Sequence, residues 1–117
     1  MAALRHALVT GGGSGIGRAV ALALAQSGIA VTVCGRKAAP LEAVAAGNPN
    51  IHTHVADITN ETSVAALYEA AEGARGPFDI VVANAGLASS APAYRTTLDD
   101  WNRVVNVNLT GAFLTVR

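Results

Sequence analysis

The sequence predicts an α/β protein built on a doubly wound parallel sheet. Short apolar runs alternate with stretches of helical periodicity. A glycine-rich turn joins the first run to the first helix, and the fourth run is continuously apolar rather than alternating. Strands separated by helices require right-handed crossovers, which lay the strands parallel and put helices on both faces.

Ala7-Leu8-Val9-Thr10 ends in glycines and reads as a strand. From Gly15 to Ser27, apolar residues fall at Ile16, Ala19, Val20, Ala23 and Leu24, the spacing of one helix face. Gly28 stands where a helix C-terminal glycine belongs. Ala30 to Cys34 is a second strand, closed by Gly35, and a short helix is expected after Pro40 because proline is tolerated in a first turn. Ile51 to Ala56 is the third strand. Ser63 to Ala74 carries Val64, Leu67, Tyr68 and Ala71 at helical spacing, and Gly76-Pro77 ends it. Ile80 to Ala83 is the fourth strand, expected to be covered on both faces. After a loop holding Gly86 and Pro92, a Thr97-x-x-Asp100 capping pattern opens a last helix, Thr97 to Arg117. Its expected core face is Trp101, Val104, Val105, Leu109, Ala112, Phe113 and Val116, and Asp99 and Asp100 are helix-start charges. Four strands followed by an uncapped helix predict the front half of a larger domain, truncated after the fourth strand and its helix.

The 117 residues are 51% hydrophobic and 14% charged, enough for one core. The formal net charge is zero, which argues against a nucleic-acid partner, since such proteins carry a basic excess. No apolar run reaches ~18 residues, so no membrane span is expected. Cys34 is the single cysteine and forms no internal disulfide. With no signal-peptide pattern, this makes a reducing, cytoplasmic location the expectation. His52 and His54 alternate on one strand face without a third ligand cluster, so no metal is expected, and Cys34 reads as inert packing.

The chemistry concentrates in Thr10-Gly11-Gly12-Gly13-Ser14-Gly15-Ile16-Gly17. Gly11 lets the chain turn sharply off the strand. Gly15 removes a Cβ where a pyrophosphate would approach, and Gly17 allows close helix packing. The helix N-terminus offers free N–H groups and partial positive charge to an anion. Strict G-x-G-x-x-G spacing is not met, because Ile16 stands at its third glycine. The P-loop pattern also fails, because Gly17 is followed by Arg18-Ala19 rather than Lys-Ser/Thr.

Thr10-Gly11-x-x-x-Gly15-Ile16-Gly17 resembles the cofactor fingerprint of the classical short-chain dehydrogenase/reductase family. Ala83-Asn84-Ala85-Gly86 resembles that family's Asn-Asn-Ala-Gly motif, with Ala83 in place of the first Asn. Asp57 matches the residue that contacts the adenine, and Val107-Asn108-Leu109-x-Gly111 matches the stretch carrying the catalytic asparagine. The resemblance implies a Rossmann-type fold whose cofactor contacts are Gly11, Ser14, Gly15, Ile16, Gly17, Arg36, Asp57, Ile58, Asn84, Ala85 and Gly86. It implies a catalytic support role for Asn108, a small carbonyl or alcohol substrate, as in 3-oxoacyl or ketone reduction, and a homo-oligomer (dimer or tetramer) with the last helix at a subunit interface.

An acid at the end of the second strand would bind the ribose 2′-hydroxyl of NAD. Here Cys34-Gly35-Arg36-Lys37 carries two cations and no acid, so NADP is expected over NAD, with Ser14 able to add a hydroxyl. The family's proton transfer uses Tyr-x-x-x-Lys with an upstream Ser. Tyr68 and Tyr94 are each followed four residues on by Glu72 and Leu98, Lys37 is the only lysine, and Ser89 and Ser90 come too early. By itself the chain is therefore expected to be inactive. Two readings stay open: the cofactor-binding front half of an NADP-dependent oxidoreductase, or a non-catalytic nucleotide-binding module complete at 117 residues. A Gly-x-Ser-x-Gly hydrolase elbow is not formed.

Overall fold

The structure, a computed structural model, describes residues 5–86 and 92–116. Ser89, Ser90 and Arg117 lie outside the described residues. Four parallel strands form one sheet: β1 (His6–Thr10), β2 (Ala30–Gly35), β3 (Ile51–Val55) and β4 (Ile80–Val82), in the order β3-β2-β1-β4. The register aligns His6 with Ala30, Val31 with Ile51 and Ala7 with Ile80. Chain order therefore reverses direction at β1, which creates a crevice between β1 and β4 at the strands' C-terminal ends.

Helices α1 (Gly15–Gln26) and α2 (Ala38–Ala45) pack on one face, over Val9, Val31, Val33 and Ile51. Helix α3 (Glu61–Arg75) covers the other, over Leu8 and Cys34, with Val64 and Leu67 buried. The strand alternation of β1 and β2 thus feeds two cores, one per face. At the N-terminal edge of the sheet, the buried His6 ring lies between the Gly76 carbonyl (2.8 Å from Nδ1) and the Thr32 hydroxyl (2.7 Å from Nε2), against Phe78.

The last stretch differs from the single regular helix expected. Helix α4 (Leu98–Val105) is capped by the Thr97 side chain, which accepts from the Asp100 amide at 3.1 Å as its capping pattern predicts. It then widens into a π turn (Asn106–Gly111) before α5 (Ala112–Val116). A wider turn rotates the faces that follow, so the expected apolar stripe does not become the buried one. Gly111 and Thr115 are buried and Val107 and Leu114 pack on the core, whereas Trp101, Leu109, Phe113 and Val116 are exposed.

Two further expectations are corrected. The buried face of α1 is Gly17, Ala21 and Ala25, while Ile16, Ala19 and Ala23 are exposed. Val20 and Leu24 of the expected face do pack against the core, but the closest contacts are made by residues with almost no side chain, so Ile16, Ala19 and Ala23 mark the wrong face. β4 is not covered on both sides. It is an edge strand here, with Val81 exposed and Ile80 and Val82 half-buried. Smaller shifts also occur: α2 begins at Ala38, placing Pro40 third in its first turn, where no intrahelical N–H bond is lost.

These contacts set opposite outcomes for two glycines. At Gly17 a Cβ would press into the Gly11 carbonyl and stand 2.5 Å from Asn84 Nδ2, so Gly17→Ala should lower the unfolding free energy by about 1–3 kcal/mol. Gly73, exposed within α3, meets nothing within 4 Å, so Gly73→Ala should raise it by about 0.5–1 kcal/mol. Urea denaturation of both variants checks the pair.

Candidate functional site

The turn between β1 and α1 is fixed from three sides. The Cys34 carbonyl at the end of β2 accepts from the Gly11 amide at 2.9 Å and the Gly12 amide at 3.4 Å. Thr10 Oγ1 accepts from the Asn84 amide (3.0 Å) and the Ala85 amide (2.9 Å), tying β1 to the segment after β4. The Asn84 side chain closes the ring by donating to the carbonyls of Thr10 (3.2 Å) and Gly11 (3.3 Å). Gly11 (φ 65°) and Gly15 (φ 56°) hold left-handed conformations that L side chains rarely adopt. A Cβ on Gly11 would also stand 2.9 Å from Ala85 Cα.

A cleft of about 580 Å³ opens across the C-terminal ends of the strands. Eight of the residues singled out from the sequence line it: Gly11, Ser14, Arg36, Asp57, Ile58, Asn84, Ala85 and Gly86. Four do not. Gly15 faces open space, Ile16 is 76% exposed, Gly17 is buried beneath the turn, and Asn108 lies against Gly86, where a Gly86 Cβ would be 3.3 Å from its Oδ1. Gly17 packs on the turn and Asn84 rather than on the sheet itself.

The electrostatics of the cleft follow from its helix ends. α3 is capped by Asn60, whose side chain accepts from the Ser63 amide at 3.0 Å, and opens with Glu61. α4 is capped by Thr97 and opens with Asp99 and Asp100. α1 and α2 have no side-chain cap and no acid in the first turn. Their N-cap residues, Ser14 and Lys37, both line the cleft. Two positive helix ends thus open on one space beside Arg36 and Lys37. Gly13 seats the turn on α2, since a Cβ there would be 2.9 Å from that of Pro40.

One acid stands among the cations. Asp57 Oδ1 accepts from the Thr59 hydroxyl (2.6 Å) and amide (2.9 Å), and these bonds, with the Arg36 charge nearby, hold its carboxyl below the usual range. Cys34 borders the cleft, but burial pushes its thiol up to about 12. Tyr68 donates its hydroxyl to the Thr115 carbonyl, and burial raises its pKa, so it is committed to packing. Among the described residues no group of three His, Cys, Asp or Glu could hold a metal, and no helix is long and apolar enough to cross a membrane.

Sequence reasoning missed the part Thr10 plays, although a hydroxyl residue closing a strand before a glycine turn was a usable signal. It also missed Arg103, which reaches the cleft from α4 while paired at 3.5 Å with Asp100. No sequence pattern marks that residue.

The sequence matches the profile described as short chain dehydrogenase over residues 5–117. The chain belongs to that family. It is 42% identical over 104 residues to D-erythrulose reductase of Gallus gallus, covering 89% of this chain and 41% of the relative. Among solved structures, an actinorhodin polyketide ketoreductase with NADPH superposes with a TM-score of 0.93 at 31% identity, covering 97% of this chain and 45% of the other. The 3-ketoacyl-(acyl-carrier-protein) reductase of Brucella melitensis complexed with NADH gives 0.93 at 36%, covering 97% and 47%. The chain spans less than half the length of each of these proteins.

Two outcomes follow from the anchoring. Thr10→Val leaves the Ala85 amide without its acceptor and should cost about 1–3 kcal/mol in urea unfolding. At pH 8, with a thiol pKa of about 12, roughly one Cys34 in ten thousand is thiolate, so the native protein should resist alkylation until denaturant is added.

Proposed function

We propose that this chain is the dinucleotide-holding half of an NADP-dependent oxidoreductase. The observation that carries the reading is the convergence of two uncapped helix N-termini and two cations on a cleft beside a glycine turn. An apolar wall of Ile58, Ala85 and Val107 stands beside the Asp57 carboxylate, the mixture an adenine and its ribose need. In this reading the backbone of Ser14, Gly15 and Ile16 receives the pyrophosphate, Gly11 lets the chain pass close beneath it, Gly17 and Asn84 shape the turn, and Asp57, Ile58, Ala85 and Gly86 receive the adenosine end. Bound there, the nicotinamide would supply hydride exchange with a carbonyl or secondary alcohol.

Arg36 and Lys37, together with the absence of an acid at the end of β2, support NADP over NAD. A guanidinium can hold a 2′-phosphate through two N–H bonds. Relatives with NADPH and with NADH both share the fold, so the preference rests on those two side chains. Asn108, beside Gly86, is proposed to support a proton relay in the parent protein. These 117 residues contain no Tyr-x-x-x-Lys, and the substrate class proposed is a ketone or 3-oxoacyl group. Exposure of Trp101, Leu109, Phe113 and Val116 on one helical stretch supports a homo-oligomer joined there.

The test uses the intact protein, with calorimetric binding of both cofactors and NADPH oxidation against a carbonyl panel. NADP should bind more tightly than NAD, and Arg36→Ala should weaken NADP about tenfold or more while moving NAD less than about twofold. Tighter NAD binding, or equal losses for both, contradicts the cation assignment. No turnover of any carbonyl by a protein that binds NADPH favours the binding-module alternative.

A further inference from the structure

Gly111 closes the π turn and is buried. A Cβ at this position would lie 2.6 Å from Cδ1 and 2.9 Å from Cγ1 of Ile58. The turn is tethered on its far side. Thr115 Oγ1 donates to the Gly111 carbonyl at 2.7 Å, and the Thr115 carbonyl in turn accepts from the Tyr68 hydroxyl of α3. Ile58 is 8% exposed. On its inner side it belongs to the cluster of Leu8, Cys34, Val64 and Leu67, and on its outer side it lines the cleft next to Asp57. Close-packed neighbours yield little, so a crowded Ile58 has one open direction, into the cleft.

We propose that Gly111 is a positioning residue that sets the width of the cleft at its Asp57–Ile58 end. The π turn settles onto Ile58 because position 111 has no side chain, and Ile58 then stays out of the space an adenine would take. The proposal rests on the dinucleotide reading above. The same turn carries Val107, which lines the cleft, and Asn108, which meets Gly86, so the seat of Gly111 also fixes those two residues.

The test measures calorimetric affinities of the intact protein for NADP, AMP and nicotinamide mononucleotide in four forms: unaltered, Gly111→Ala, Ile58→Ala and the double variant. Gly111→Ala should weaken AMP and NADP about tenfold and leave nicotinamide mononucleotide within about twofold, a split that general destabilisation would not produce. In the Ile58→Ala background, where the obstructing carbons are gone, the same change should move AMP by less than about twofold. Equal losses in both backgrounds, or no loss in either, overturn the proposal. Where Gly111→Ala alone does not fold, the double variant decides. It must fold and bind as Ile58→Ala does, and its failure to fold overturns the proposal. If the unaltered protein binds none of the three nucleotides, the dinucleotide reading itself falls. If it binds them and Gly111→Ala binds as well, only the Gly111 assignment falls.

Discussion

The Thr10 hydroxyl is the joint on which the site depends. It accepts two backbone amides from the segment after β4 and so locks the switch between β1 and β4 at the level where the glycine turn leaves the sheet. The Asn84 side chain in turn donates from Nδ2 to the carbonyls of Thr10 and Gly11, and the end of β2 holds the turn through the Cys34 carbonyl. A turn rich in glycine is entropically costly to order. Here the order is imposed from the ends of β1 and β2 and from the segment after β4.

That rigidity gives the electrostatics a fixed target. α3 and α4, whose N-cap residues do not line the cleft, begin with a capping side chain and an acid. α1 and α2 do neither, and both open on the cleft. Leaving first-turn N–H groups without partners costs stability unless water or a ligand satisfies them. The selective omission at the two cleft-facing ends is the observation on which the proposed dinucleotide seat rests. Arg36 and Lys37 add exposed positive charge at one rim, while Asp57, held ionised by Thr59, adds a single acceptor at another.

Much of this was legible in the residues. The alternation of Ala7–Thr10, Ala30–Cys34, Ile51–Ala56 and Ile80–Ala83 with helical stretches marks all four strands, and continuous apolar runs mark the buried β1 and β2. The glycine turn, Asp57 and Asn84 stand out by type and position. What escaped was contact made by absence. The buried face of α1 runs through Gly17, Ala21 and Ala25, and the seat of the π turn is Gly111, positions at which apolar periodicity is nearly silent. The π turn also broke the phase of the last helix, so Phe113 and Val116, which follow it, face outward. Arg103 reaches the cleft from α4, a tertiary fact without a local signature.

Amide chemical shifts measured while ADP-ribose is titrated into the protein report most directly on whether the turn seats a diphosphate. Saturable shifts should concentrate at the amides of residues 13–17 and at Arg36, with weaker ones near Asp57 and Ala85. Shifts scattered over the surface, or confined to regions away from the turn while the protein remains folded, would contradict a pyrophosphate seat at the start of α1.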